Sequence, residues 1–119
     1  MSEQTTAIVR RHLDAWQKGD VDALLADYAE DAVMMTRDTG VVTGKPQIRA
    51  LFDHVFAEIF RPEDTRLEVT AELVSGNHAL VHWKAATTTF RTIGAFDAFT
   101  ISDGKIVAQF AGMSATPNE

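Results

Sequence analysis

The sequence predicts an α+β fold in which three N-terminal helices pack on one face of a curved, mainly antiparallel sheet. A change of rhythm along the chain carries that prediction. Over the first sixty positions apolar residues recur at helical spacing; from Leu67 onward β-branched residues and strict alternation take over, punctuated by short turn signals. With 119 residues the chain is one domain, long enough for a single core that every element must share.

Helix one runs from Thr6 to Lys18, where Ile8, Val9, His12, Leu13 and Trp16 form one stripe and Arg10, Arg11, Asp14 and Gln17 lie elsewhere on the wheel. Gly19 suits the position just past a helix, and Asp20 can cap a second short helix carrying Leu24, Leu25 and Tyr28. Ala32 to Thr36 reads as a short strand and positions 37 to 44 as an irregular, turn-rich loop. Pro46 fits the first turn of a third helix. Its stripe is Ile48, Leu51, Phe52, Val55, Phe56 and Ile59, and it ends before Pro62. Four strands follow: Leu67 to Val74, Ala79 to Phe90, Ile93 to Ser102 and Ile106 to Met113. Ser75-Gly76-Asn77 and Ser102-Asp103-Gly104 are clear turns, and Arg91-Thr92 is a weaker break between the middle pair. Connections this short imply an antiparallel meander with helices on one side of it.

Composition narrows the function classes. An apolar share of 45% and a charged share of 24% are those of an ordinary globular protein. A formal charge of −6 argues against a phosphate-tracking surface, so nucleic acid is not an expected partner. Absence of cysteine excludes disulfide and thiolate chemistry and fits a reducing compartment, with the cytoplasm the expected location. No stretch approaches the ~20 apolar residues of a membrane span, and the N-terminus has no basic or apolar run of a targeting segment.

The most informative residue is an acid in a greasy row. In the strand Ile93 to Ser102, Asp97 shares its side with Ile93, Ala95, Phe99 and Ile101. A carboxyl held against carbon either finds a partner or keeps its proton at neutral pH, and both suit a site that handles protons. His12 stands four residues after Ile8 and four before Trp16, hence on the inward stripe. Paired with Asp97, its ring would have a fixed tautomer and one nitrogen free for a ligand; alone, it is a core histidine. Trp83 belongs to the inward row Ala79, Val81, Trp83, Ala85, as ligand platform or core filling. Met34, Met35 and Met113 suit an adaptable apolar pocket, and Phe52, Phe56 and Phe60 its wall. His78 and His82 have the sequence spacing of a metal pair, but on a strand they lie roughly 13 Å apart, and no metal site is expected. Leu80, His82 and Lys84, with Ala108 and Phe110, form the face away from the helices, an apolar-mixed surface that needs a partner.

Four segments in order, Gly19-Asp20-Val21-Asp22-Ala23-Leu24, Tyr28-Ala29-Glu30-Asp31-Ala32-Val33, Gly44-Lys45-Pro46-Gln47-Ile48-Arg49 and Asp97-Ala98-Phe99-Thr100-Ile101-Ser102-Asp103-Gly104-Lys105-Ile106-Val107, resemble the NTF2-like superfamily. That group has the cystatin/NTF2-like cone and includes ketosteroid isomerases, SnoaL-type polyketide cyclases and scytalone dehydratase. The resemblance implies a hydrophobic pocket between helices and sheet, an apolar small-molecule ligand, no metal or organic cofactor, and a homodimer through the outer sheet face. It matches Asp97 to the strand aspartate that is a protonated hydrogen-bond donor in the isomerases and an acid/base in the cyclases. His12 stands at the isomerases' first-helix tyrosine. Thr36 stands at their catalytic aspartate, where a threonine cannot shuttle a proton; if the strand continued past Thr36, Asp38 would point the same way and supply the base. The expected catalytic residues are therefore Asp97, His12 and Asp38, with Thr36, Trp83, Met34, Phe99 and Met113 against the substrate. The implied reaction is proton transfer beside a carbonyl: isomerisation, aldol-type cyclisation or dehydration. The alternative is a non-catalytic binding or dimerisation module on the same cone, which Thr36 favours. An epoxide hydrolase of this fold would need a second pocket acid and an arginine, for which Asp38 and Arg37 are the nearby candidates.

Overall fold

The computed structural model describes residues 2–118. Helix α1 spans Ser2–Lys18 and α2 Val21–Ala26; strand β1 (Tyr28–Thr36) and β2 (Gly40–Thr43) form a hairpin; α3 (Lys45–His54) follows. Strands β3 (Arg66–Ser75), β4 (His78–Ala86), β5 (Phe90–Ser102) and β6 (Lys105–Pro117) complete the chain. One six-stranded sheet has the order β2-β1-β6-β5-β4-β3, antiparallel throughout except where β1 runs parallel to β6. The predicted α+β class stands.

Asp20 caps α2, accepting from the Ala23 backbone N–H at 3.1 Å. Between α1 and α2, Gly19 takes φ +67°, and a Cβ there would sit 2.3 Å from the Pro62 ring. Left-handed backbone and close approach together require glycine. The two helices lie over the sheet through Ile8, Val9, Leu24 and Leu25, which join Tyr28, Ile48, Phe52, Val81, Phe99 and Ile106 in the core.

Four sequence expectations need correction. Tyr28 opens β1 and is not on α2, because the helix stops at Ala26 and the Asp27 carbonyl accepts from Ile106 N–H at 2.7 Å, starting the β1–β6 edge. The loop expected over positions 37 to 44 contains β2, whose Thr43 and Gly40 pair with Val33 and Thr36. The break between the middle strands falls at Thr87–Thr89, where Thr87 N–H donates to Phe90 carbonyl at 2.9 Å, and not at Arg91-Thr92. Threonine hydroxyls close this turn, Thr87 Oγ1 accepting from Phe90 N–H at 3.1 Å, a role that β-branched residues conceal within an apparent strand. Lastly, α3 does not run on as a regular helix. Val55–Ile59 forms a π-helical turn, sealed by Phe60 N–H to Val55 carbonyl at 2.7 Å. Val55 and Ile59 of this turn, with Phe60 that follows it, line the cavity between helix and sheet.

Candidate active site

The concave face of the sheet and α3 enclose a cavity of about 680 Å³, within the size range of small-molecule sites. Leu51, Phe52, Val55, Ile59 and Phe60 form its helical wall, and Met34, Trp83, Asp97, Gln109, Ala111 and Met113 its sheet wall. Thr36, Arg37, Asp38, Thr39 and Ser114 add polar groups. Strand register explains why these sheet residues meet. Asp97 sits opposite Val81 on one side and Ala111 on the other, while Gln109 sits opposite Phe99 and Met34. Residues in register point to the same face, so the carboxyl and the carboxamide look into one space.

A bulge precedes the acid. The β5–β6 register shifts between Ile93 and Phe96, and Gly94 takes φ +65°, a conformation that glycine adopts without strain. Asp97 is therefore set by the segment beyond the bulge. Part of its surface opens to the cavity; its other sides are enclosed by protein. Desolvation pushes its carboxyl up from 3.8 to about 7, opposed by the neighbouring polar groups of Gln109 and Trp83, which favour the ionised form. The Trp83 indole Nε1 is buried and falls short of hydrogen-bond geometry with any described residue, so it retains an unspent donor beside the acid.

Behind Asp97 stands a pair that the sequence reading missed. Tyr28 Oη donates a hydrogen bond to Gln109 Oε1, both side chains being buried. Burial, with smaller contributions from the charges of Asp97 and Asp27, raises the phenol well above its ordinary value, so Tyr28 remains a donor. The signal for Gln109 was present: with Ala108 and Phe110 outward, it is a polar residue in an inward row, like Asp97.

His12 lies elsewhere. It is 2% exposed, packed edge-on against Tyr28, Phe52 and Phe99 at ring separations of 5.8, 6.3 and 5.1 Å, and is not part of the cavity wall. No hydrogen bond joins it to Asp97 among the described residues, and its Nδ1 has no partner. Desolvation lowers the imidazole from 6.5 to about 4, opposed by the charge of Asp27. The expected Asp97–His12 pair does not form, because the inward stripe of α1 meets the sheet at Phe99, one inward-facing position deeper; Asp97 shares the cavity wall with Gln109 instead. Phe99 itself is core, 2% exposed, beneath the cavity. Asp38 does not extend β1: the strand stops at Thr36, and a three-residue turn places Asp38 at the cavity mouth, paired with Arg37 at 3.2 Å and largely exposed. Thr36 lines the cavity and shares a 2.7 Å hydroxyl contact with Thr39.

The sequence profile of the SnoaL-like domain matches residues 9–109. The chain belongs to the SnoaL-like domain family. Solved structures agree with that placement. A Kribbella flavida protein provisionally named a ketosteroid isomerase superposes with TM-score 0.81 at 20% identity, over 99% of this chain and 83% of that one. An NTF2-like protein of unknown function from Burkholderia xenovorans gives TM-score 0.80 at 21% identity, covering 98% and 87%. A Sinorhizobium meliloti protein provisionally named a polyketide cyclase gives 0.74 at 25% identity, covering 88% and 93%. No curated protein matches. The SnoaL-like chain thus has the NTF2-like fold, and no helix among its described residues is long and apolar enough to cross a membrane. Fold alone does not carry an activity; the site must.

Proposed function

We propose that this SnoaL-like protein is a cofactor-independent enzyme that moves a proton beside the carbonyl of an apolar small molecule, with Asp97 as its acid/base. The observation that supports the reading is a carboxyl, shifted to about 7, on the wall of a mainly apolar cavity of ligand size whose other charged residues, Arg37 and Asp38, pair at the mouth. A group with that affinity is substantially ionised and substantially protonated at neutral pH, so it can both accept a proton and return one. Asp97 takes the proton α to the carbonyl, the C–H electron pair moves into an enolate, and charge develops on the substrate oxygen. The proton then returns from Asp97 to a different carbon, or to the alkoxide formed when the enolate carbon attacks a second carbonyl. Trp83 Nε1–H is an unspent donor on the same cavity wall and is suited to the developing oxygen charge. Neutral His12 supports the aromatic floor.

The test uses hydrogen exchange. Cyclic and polycyclic ketones that bind the protein are incubated with it in D2O and followed by NMR; exchange at the α carbon faster than in buffer is the expected result. Ligands that bind tightly yet never exchange would instead make this a non-catalytic binding module.

We also propose that a second copy covers the outer sheet face. In register across five strands, Met35, Phe110, Ala98, Leu80 and Leu73 form one apolar row on the side opposite Asp97. Met35, Phe110 and Leu73 are 43, 44 and 57% exposed. Sedimentation is expected to give twice the 13.1 kDa chain mass, and Phe110→Asp to give the monomer. A wild-type monomer at micromolar concentration would refute the dimer.

A further inference from the structure

Gln109 has two ends; the structure commits one to Tyr28 and leaves the other on the cavity wall that Asp97 also lines. Its Oε1 accepts from Tyr28, so its amide N–H₂ is the end left for Asp97. Gln109 and Tyr28 are 4% and 1% exposed, which leaves little access for water to offer either end an alternative. The reverse orientation would bring a carbonyl oxygen against a carboxylate. We propose that Gln109, clamped by Tyr28, is a positioning residue that aims a donor at the Asp97 carboxylate and holds it ready to accept a substrate proton.

This assigns the Asp97 side chain a direction of work. Both polar groups beside it, the Gln109 amide and the Trp83 indole, are donors, an environment for a carboxylate that accepts and not for a carboxylic acid that donates. Other charged groups are few. Arg37 and Asp38 are the remaining charged residues of the cavity wall among the described residues, and they pair with each other at the mouth. On the helical side His12 is neutral in its aromatic cage and Asp27 is engaged by Arg11 at 2.6 Å. β4 brings Trp83 and β6 brings Gln109 and Ser114 to the cavity wall as uncharged polar groups. The inference rests on Asp97 being the acid/base proposed above, but its test reads Asp97 directly and requires no turnover.

The side-chain carboxyl of Asp97 is titrated by ¹³C NMR in the full-length protein and in three variants. Gln109→Leu is expected to raise the Asp97 midpoint by about one pH unit, a roughly tenfold loss of the ionised form at a given pH. Tyr28→Phe is expected to raise it by less, since the amide stays but loses its clamp. Tyr28→Phe with Gln109→Leu should match Gln109→Leu alone, because Tyr28 acts through Gln109. The double variant removes donor and acceptor together, so it reports even if a lone unpaired phenol prevents folding of Gln109→Leu. An unmoved midpoint in the double variant, or a Tyr28→Phe increment that adds in full to that of Gln109→Leu, overturns the proposal. Where turnover is measurable, the acid limb of the kcat/KM profile should move with the midpoint, which a merely structural role for Gln109 would not cause. Loss of the catalytic reading shows separately, as turnover that survives Asp97→Asn while the titration behaves as stated.

Discussion

Asp97→Asn is expected to lower turnover of any carbonyl substrate by about 10²–10⁴-fold while the protein stays folded. Asparagine has the shape of aspartate and keeps an acceptor for the Gln109 amide, but it cannot take up a proton at any working pH. The wild-type profile should share the same origin. Because the base must be ionised, kcat/KM is expected to rise with pH through about 7, the value to which burial lifts Asp97. Thr36 offers no substitute, and Asp38, exposed and tied to Arg37, stands at the rim. Turnover that persists in Asp97→Asn would remove this residue from the chemistry altogether.

The second large effect is on stability and needs no substrate. Asp97, raised from 3.8 to about 7, holds a proton in the folded state that the unfolded chain has released. Its contribution is fully present below 3.8 and is lost as pH rises through about 7, roughly 4 kcal/mol in all. His12, lowered from 6.5 to about 4, does the reverse: the unfolded chain protonates first. Its contribution is present above 6.5 and is lost as pH falls toward 4, roughly 3 kcal/mol. Over nearly the same window the two slopes oppose and largely cancel. Single variants should expose them. Asp97→Asn is expected to gain stability steeply from pH 4 to 6.5 and to exceed the wild type above pH 7, whereas His12→Leu should lose stability from pH 4 to 7. Urea unfolding at several pH values measures both, and the slope is independent of any packing loss at His12. Parallel slopes in the two variants would show that these groups do not titrate as their burial dictates. For the proposed acid/base, such a cost to the fold would be the ordinary trade between stability and activity.

Local pattern made much of the site legible. Alternation alone puts Asp97 and Trp83 on inward rows, and helical spacing alone puts His12 on the buried stripe, because side-chain direction follows from two fixed periods. The same alternation puts Gln109 inward, but a glutamine draws less notice than an acid and was passed over. Tyr28 was misread for a different reason: six residues make a very short helix, and the helical spacing that links it to Leu24 and Leu25 cannot reveal that the backbone turns into a strand at Asp27. The hairpin after Thr36 was hidden because β2 has only four residues and two exposed glycine-flanked turns.

What the sequence by itself determined is the layering, the inward face of β5 and the presence of a carboxyl on that face. These depend on neighbours a few residues apart. Which groups that carboxyl meets was decided by tertiary structure: the parallel docking of β1 on β6 brings Tyr28 to Gln109 across 81 positions, and the seating of α1 sends His12 to Phe99 instead of to the acid. Sequence periodicity specifies direction but not depth, and a displacement of two residues along a strand, roughly 7 Å, separates a neighbour of the acid from a ring packed in the core.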